Sequence, residues 1–249
     1  MNWALSNIDL ILEVTLTHIR LAVIPIVLSF VLAIPLGWLA NRNATLRSIV
    51  ITSGSLLYTI PSLPLFVALP VIIGTRVLDE TNIIVALTIY GVAVMVRSAA
   101  DALASVNPAT VDAASAMGFS TAARFWRVEL PLAGPVLLAG IRVVSVSTIA
   151  LVSVGSIIGS RNLGYLFLNG RQRDIIEEVV VGIVMTALIA IVFDVILVLV
   201  GRALLPWNRK EIAAATGDAV VAPDTRAPTP VGSSPAGSAS ARDSGGVDR

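Results

Sequence analysis

Asp112-Ala113-Ala114-Ser115-Ala116-Met117-Gly118, followed after nine residues by Val128-Glu129-Leu130-Pro131, is a short polar loop set between long apolar runs. Its local chemistry predicts a helix, a sharp turn and the entrance to a further helix. Asn107 can cap the first helix, and Pro108 suits its first position, where a backbone donor would be unpaired anyway. That helix is expected to reach about Met117, with Ala109, Ala113 and Ala116 on one face, small enough for another surface to approach its backbone. Gly118 stands where helices commonly end in a left-handed conformation that other residues enter only with strain.

The flanking runs set the class. Of 249 residues, 56% are hydrophobic and 13% charged, and the mean hydropathy is +0.89, values outside the range of soluble domains. The reading is an all-α polytopic membrane protein. Five stretches reach the roughly 20 apolar residues that a helical span needs: Ile19 to Ala40, Ile49 to Ile73, Ile83 to Ala102, Leu132 to Ile158 and Val179 to Gly201. The second contains Pro61, Pro64 and Pro70, which remove backbone donors and break or kink a helix. A break at membrane depth is tolerated only against protein or a water-filled cavity, so Pro61 is a candidate pathway residue. After Gly118, a second short helix from about Ser120 to Arg127 is expected to bring Phe125 and Trp126 to the membrane interface, with Pro131 opening the fourth span.

Basic residues near span ends favour the cytoplasmic side. Arg42 and Arg47 lie in the first loop without acids, Arg76 in the second against Asp79 and Glu80, and Arg97, Arg124 and Arg127 in the third. The fourth loop is mixed, with Arg161, Arg171 and Arg173 against Asp174, Glu177 and Glu178, while Arg202, Arg209 and Lys210 follow the last span. The expected topology has the N-terminus outside, the C-terminus inside and loop 103–131 in the cytoplasm. Residues 1–18 then form an external segment without a cleavable signal, 19–210 the membrane domain, and 211–249 a disordered cytoplasmic tail too poor in apolar residues to offset its ordering entropy.

With Asp112 in place of Glu and Val128 in place of Ile, the stretch resembles the EAA loop of ATP-binding cassette (ABC) importer permeases: Glu-Ala-Ala, three residues, Gly, nine residues, Ile-x-Leu-Pro. Thr59-Ile60-Pro61-Ser62-Leu63, Leu130-Pro131-Leu132-Ala133 and Gly140-Ile141-Arg142 are similar to segments of the glycine betaine, carnitine and choline branch. Ile158-Gly159-Ser160-Arg161-Asn162-Leu163-Gly164 departs from that branch's usual Ile-Gly-Ala-Gly-Gly-Leu-Gly by bulkier, charged residues. The resemblance implies a transmembrane subunit in a bacterial inner membrane, forming the path for quaternary-ammonium osmoprotectants. Its partners would be a cytoplasmic ATPase, a second permease subunit, an extracytoplasmic solute-binding protein and the lipid bilayer. Asp112, Ala113, Ala114, Gly118, Glu129, Leu130 and Pro131 would form the ATPase-coupling loop. The rivals are an ABC permease for amino acids or another small polar solute, a secondary transporter and a structural scaffold.

The remaining chemistry narrows these choices. The only lysine, Lys210, is not preceded by a phosphate-binding Gly-x-x-x-x-Gly, so no ATPase motif, catalytic residue or cofactor is expected in this chain; ATP and Mg would belong to the partner. Without cysteine, and with one histidine, no metal site is expected. A net charge of +1 with dispersed arginines gives no nucleic-acid surface. His18 reads as an interfacial residue, and Gly155 and Gly159 as a Gly-x-x-x-Gly that permits close helix approach. Arg142 lies about 16 Å beyond Pro131 and Asp194 about 12 Å before Arg202 at 1.5 Å per residue, so the two intramembrane charges can share a depth. The aromatic residues Tyr58, Phe66, Tyr90, Tyr165 and Phe193 fall in different segments, and trimethylammonium recognition, which favours an aromatic cage, is expected mainly in the binding protein.

Overall fold

The first span begins earlier than its hydropathy suggests. In the computed structural model, which describes residues 2–207, a short helix α1 (Asn2–Ser6) leads into α2, a 33-residue helix from Ile8 to Ala40. At 1.5 Å per residue α2 is about 50 Å long, more than the ~30 Å hydrocarbon core requires. His18 therefore sits inside α2, fully buried, with its Nε2 3.0 Å from the Ile149 carbonyl oxygen. This corrects the interfacial reading: helix packing, not the membrane surface, surrounds the ring.

The second span is two helices, α3 (Ala44–Thr59) and α4 (Ser62–Ile73), bent by 101° at Ile60-Pro61. Ile60 is extended, as a residue before proline prefers. Its carbonyl accepts a 2.5 Å hydrogen bond from the Tyr90 hydroxyl, so a side chain from the next span satisfies a carbonyl at the break. Tyr58 packs edge-on against the same ring, with centroids 5.8 Å apart.

α5 (Glu80–Ala104) is the central span, packed against α2, α3 and α8 (Leu130–Val152). Small residues set these crossings. A Cβ on Gly37 of α2 would lie 2.7 Å from the Ala99 Cβ, and one on Gly140 of α8 would lie 2.6 Å from the Ser98 Cβ, so each glycine permits an approach that any side chain would block. Arg97 belongs to α5 rather than to the loop after it.

Beyond α8 a 3₁₀ segment (Ser153–Ile158) leads to α9 (Leu163–Gln172) and the last span α10 (Ile176–Leu204). Gly155 and Gly159 do not form the α-helical contact face their spacing suggests: both lie in or at the end of the 3₁₀ segment, and Gly159 is left-handed at φ +95°. Four helices among the described residues are individually long and apolar enough to cross a membrane, and the bent α3–α4 pair makes a fifth candidate. No strand occurs among the described residues. The expected disordered tail lies outside them.

Candidate coupling loop and intramembrane ion pair

The loop folds largely as its local chemistry dictates. α6 (Pro108–Ala116) is capped by the Asn107 side chain, which accepts a 2.9 Å bond from the Ala109 N–H. At its other end Gly118 adopts φ +86°, while its N–H bonds the Ser115 carbonyl at 3.0 Å and the Phe119 N–H bonds the Ala114 carbonyl at 3.2 Å. This paired arrangement satisfies the last carbonyls of the helix and requires the left-handed residue between them. A Cβ on Gly118 would meet nothing within 4 Å, so the demand there is conformational rather than steric.

The second half departs from expectation. α7 (Thr121–Arg124), capped by Ser120, runs without interruption through one π-helical turn (Phe125–Glu129) into α8. There is no separate second helix. Phe125 points inward, 8% exposed, edge-on to Trp38 at 5.7 Å, while Trp126 remains outside at 65% exposure. The extra residue of the π turn shifts the helical register between α7 and α8. Arg124 ties the two halves together: its Nε donates to Glu129 Oε1 at 2.7 Å and its Nη1 to Ser115 Oγ at 2.8 Å.

The predicted loop residues divide by environment. Asp112, Ala113 and Gly118 are exposed, together with Ala109, Ala116 and Met117, so α6 presents an outer surface of small and apolar side chains around one carboxylate. Ala114 is buried at 2% exposure, and Glu129, Leu130 and Pro131 are half-buried. These four seat the loop against the bundle, whereas the first group faces outward.

Arg142 and Asp194 meet. Arg142 Nε and Nη2 donate to the two carboxylate oxygens of Asp194 at 2.6 and 2.8 Å, a bidentate pair joining α8 to α10. Pro61, by contrast, is exposed at the α3–α4 break.

The broken span carries one feature that its hydropathy does not show. Thr45, Ser48, Thr52, Ser55 and Thr59 recur at spacings of three and four along α3, and all are exposed. The spacing is visible in the sequence, but hydropathy averaging over the span conceals it. No cluster of three or more metal-ligating side chains occurs among the described residues.

Residues 29–210 match the family described as "Binding-protein-dependent transport system inner membrane component". The osmoprotectant import permease protein OsmW of Salmonella typhimurium is 32% identical over 78% of this chain and 91% of its own length. The choline transport system permease protein OpuBB of Bacillus subtilis is 30% identical over 80% and 90%. Among solved structures, an inward-facing MetNI methionine ABC transporter superposes with a TM-score of 0.70 at 21% identity, covering 80% of this chain and 98% of that one.

Proposed function

We infer the function from one premise: the chain belongs to the family of binding-protein-dependent transport system inner membrane components. It is a multi-pass inner-membrane permease subunit of an ABC importer. On that basis we assign its cargo to the quaternary-ammonium osmoprotectants, glycine betaine, choline and carnitine. Likeness to osmoprotectant and choline permeases along nine-tenths of their length carries this assignment.

The mechanism divides the molecule into a docking end and a path. α6 docks into a cytoplasmic ATPase that binds ATP and Mg, with Asp112, Ala113 and the Gly118 turn forming the contact. Ala114, Glu129, Leu130 and Pro131 transmit its displacement to α8, because the π turn makes α7 and α8 one continuous lever. The N-terminus lies outside and the C-terminus inside, and an extracytoplasmic binding protein delivers the solute. The path runs beside α3 and α4 and is completed by a second permease subunit. Five exposed hydroxyl-bearing side chains along α3, of which Ser55 and Thr59 donate to carbonyls of their own helix, offer a quaternary ammonium a track of hydroxyl oxygens without a binding cage.

The test is uptake by vesicles containing this chain, its ATPase and its second permease, with and without the binding protein. Glycine betaine, choline or carnitine should accumulate with ATP only when the binding protein is present. Uptake of amino acids but no quaternary amine by the complete system would move the substrate assignment to the rival class.

A further inference from the structure

Two cavities of opposite character follow one another along α2. The first, about 360 Å³, is an almost wholly apolar groove walled by Phe30 and Ile34 of α2, Leu130 and Leu137 of α8, and Leu197 and Leu204 of α10. The second, about 400 Å³, is a polar cleft at the loop end, lined by Trp38, Asn41, Arg42, Thr121, Arg124 and Glu129. Ile34 of the groove and Trp38 of the cleft are one helical turn apart on α2, and Glu129 of the cleft is followed directly by Leu130 of the groove. The apolar trough and the polar cleft are therefore neighbours, within one helical turn on α2 and one residue at the start of α8. From Ile26 to Trp38 the rise is about 18 Å, close to half of the ~30 Å hydrocarbon core, which is the depth of one leaflet.

The cleft also carries uncompensated charge. Arg124 is engaged by Glu129 and Ser115. Asn41 accepts from Arg47, which pairs with Asp101, and donates to the Ala100 carbonyl at 2.8 Å. Arg42 lies over the Trp38 ring, 4.3 Å from its centroid, and pairs with no carboxylate among the described residues. A guanidinium stacked on a tryptophan beside an apolar trough matches a ligand with an anionic head and a hydrocarbon tail.

We propose that this composite cavity binds one anionic phospholipid, with an acyl chain in the α2–α8–α10 groove and the phosphate against Arg42. The tail would lie between α2 and α8 directly behind the coupling loop, so the seating of α6 and the Arg124–Glu129 tie would respond to the leaflet's lipid composition. The other possible occupant is a second copy of the permease, whose helix would fill the groove without needing Arg42.

The assembled transporter, exchanged into vesicles of mixed phosphatidylglycerol and phosphatidylcholine and re-extracted in mild detergent, tests this by native mass spectrometry of the lipid retained. Phosphatidylglycerol should be retained over phosphatidylcholine. Arg42→Gln should lower that retention about fivefold, the contribution of one basic residue at an anionic surface. Arg42→Lys should restore most of it, and Arg173→Gln at the other end of the bundle should leave it unchanged. Ile34→Trp, which fills the groove, should displace the lipid while the wild-type headgroup contacts remain. Equal retention of the two lipids, or no change with Arg42→Gln, would overturn the proposal. So would a disulfide between two permease copies each carrying Val27→Cys, a substitution at an exposed α2 residue of the groove wall, which would assign the groove to a protein contact. None of these readouts depends on the cargo, so failure of quaternary-amine uptake would leave the lipid site standing.

Discussion

The candidate coupling loop and the broken second span are both interruptions of an apolar chain, yet they are built in different ways. The loop is specified by neighbours in sequence: Asn107 caps α6, Gly118 ends it, and the carbonyls of its last turn are bonded by Gly118 and Phe119. At Ile60-Pro61 the proline sets the bend locally, but the Ile60 carbonyl at the break is bonded by Tyr90, thirty residues away on α5. A locally specified element can be displaced as a unit without losing its shape, which suits a part that transmits force. An element held by a distant partner depends on the bundle around it, which suits a part of the path wall whose shape must change with helix packing.

Charge reversal at the long-range contact between α8 and α10 should have the largest effect. Arg142→Asp sets two carboxylates against each other within the membrane, where an unpaired charge is costly, and should sharply reduce the abundance of membrane-inserted protein in immunoblots. Adding Asp194→Arg should restore part of it. Simple additivity of the two losses would mean that the charges act independently and that this contact is not a structural tie.

Gly118→Val sharpens the contrast from the local side. A β-branched residue at φ +86° should cost about 1–2 kcal/mol, confined to the loop because a Cβ meets no neighbour there. Insertion should persist while ATP-driven uptake is lost, and Gly118→Asn should retain more activity because asparagine tolerates the left-handed region. Tyr90→Phe removes the hydroxyl that bonds Ile60, at about 1 kcal/mol. It should alter uptake while leaving ATPase co-purification intact, the reverse of a docking defect. The smallest effect is expected from Asn107→Ala, about 1 kcal/mol or less of α6 helix stability from one lost cap, read as faster amide exchange in 109–111 without a change in α5.

These differences also explain what the sequence could and could not reveal. Caps, the left-handed glycine and the proline break act within a few residues, so they were legible. The equal depth of Arg142 and Asp194 followed from counting along two helices, because rise per residue is fixed. What escaped depended on tertiary packing. Ala114 is chemically the same as Ala113, and only its position against the bundle makes it buried. Phe125 was expected at the interface beside Trp126, but the π turn and Trp38 place it inside. His18 looked like a span boundary because Asp9 and Glu13 depress local hydropathy, whereas the helix continues through them to Ile8. The α3 hydroxyls were present in the sequence, but their shared exposure required the fold.

Docking of the ATPase at the α6 end of this permease is tested by site-specific cross-linking in the assembled importer. The native chain has no cysteine, so Ala113→Cys on the exposed face of α6 and Thr81→Cys at the opposite end of α5 provide a pair without background. Ala113→Cys should cross-link to the ATPase in the membrane and Thr81→Cys should not. A cross-link from Thr81→Cys, or none from Ala113→Cys in a transporter that still hydrolyses ATP and takes up solute, would contradict it.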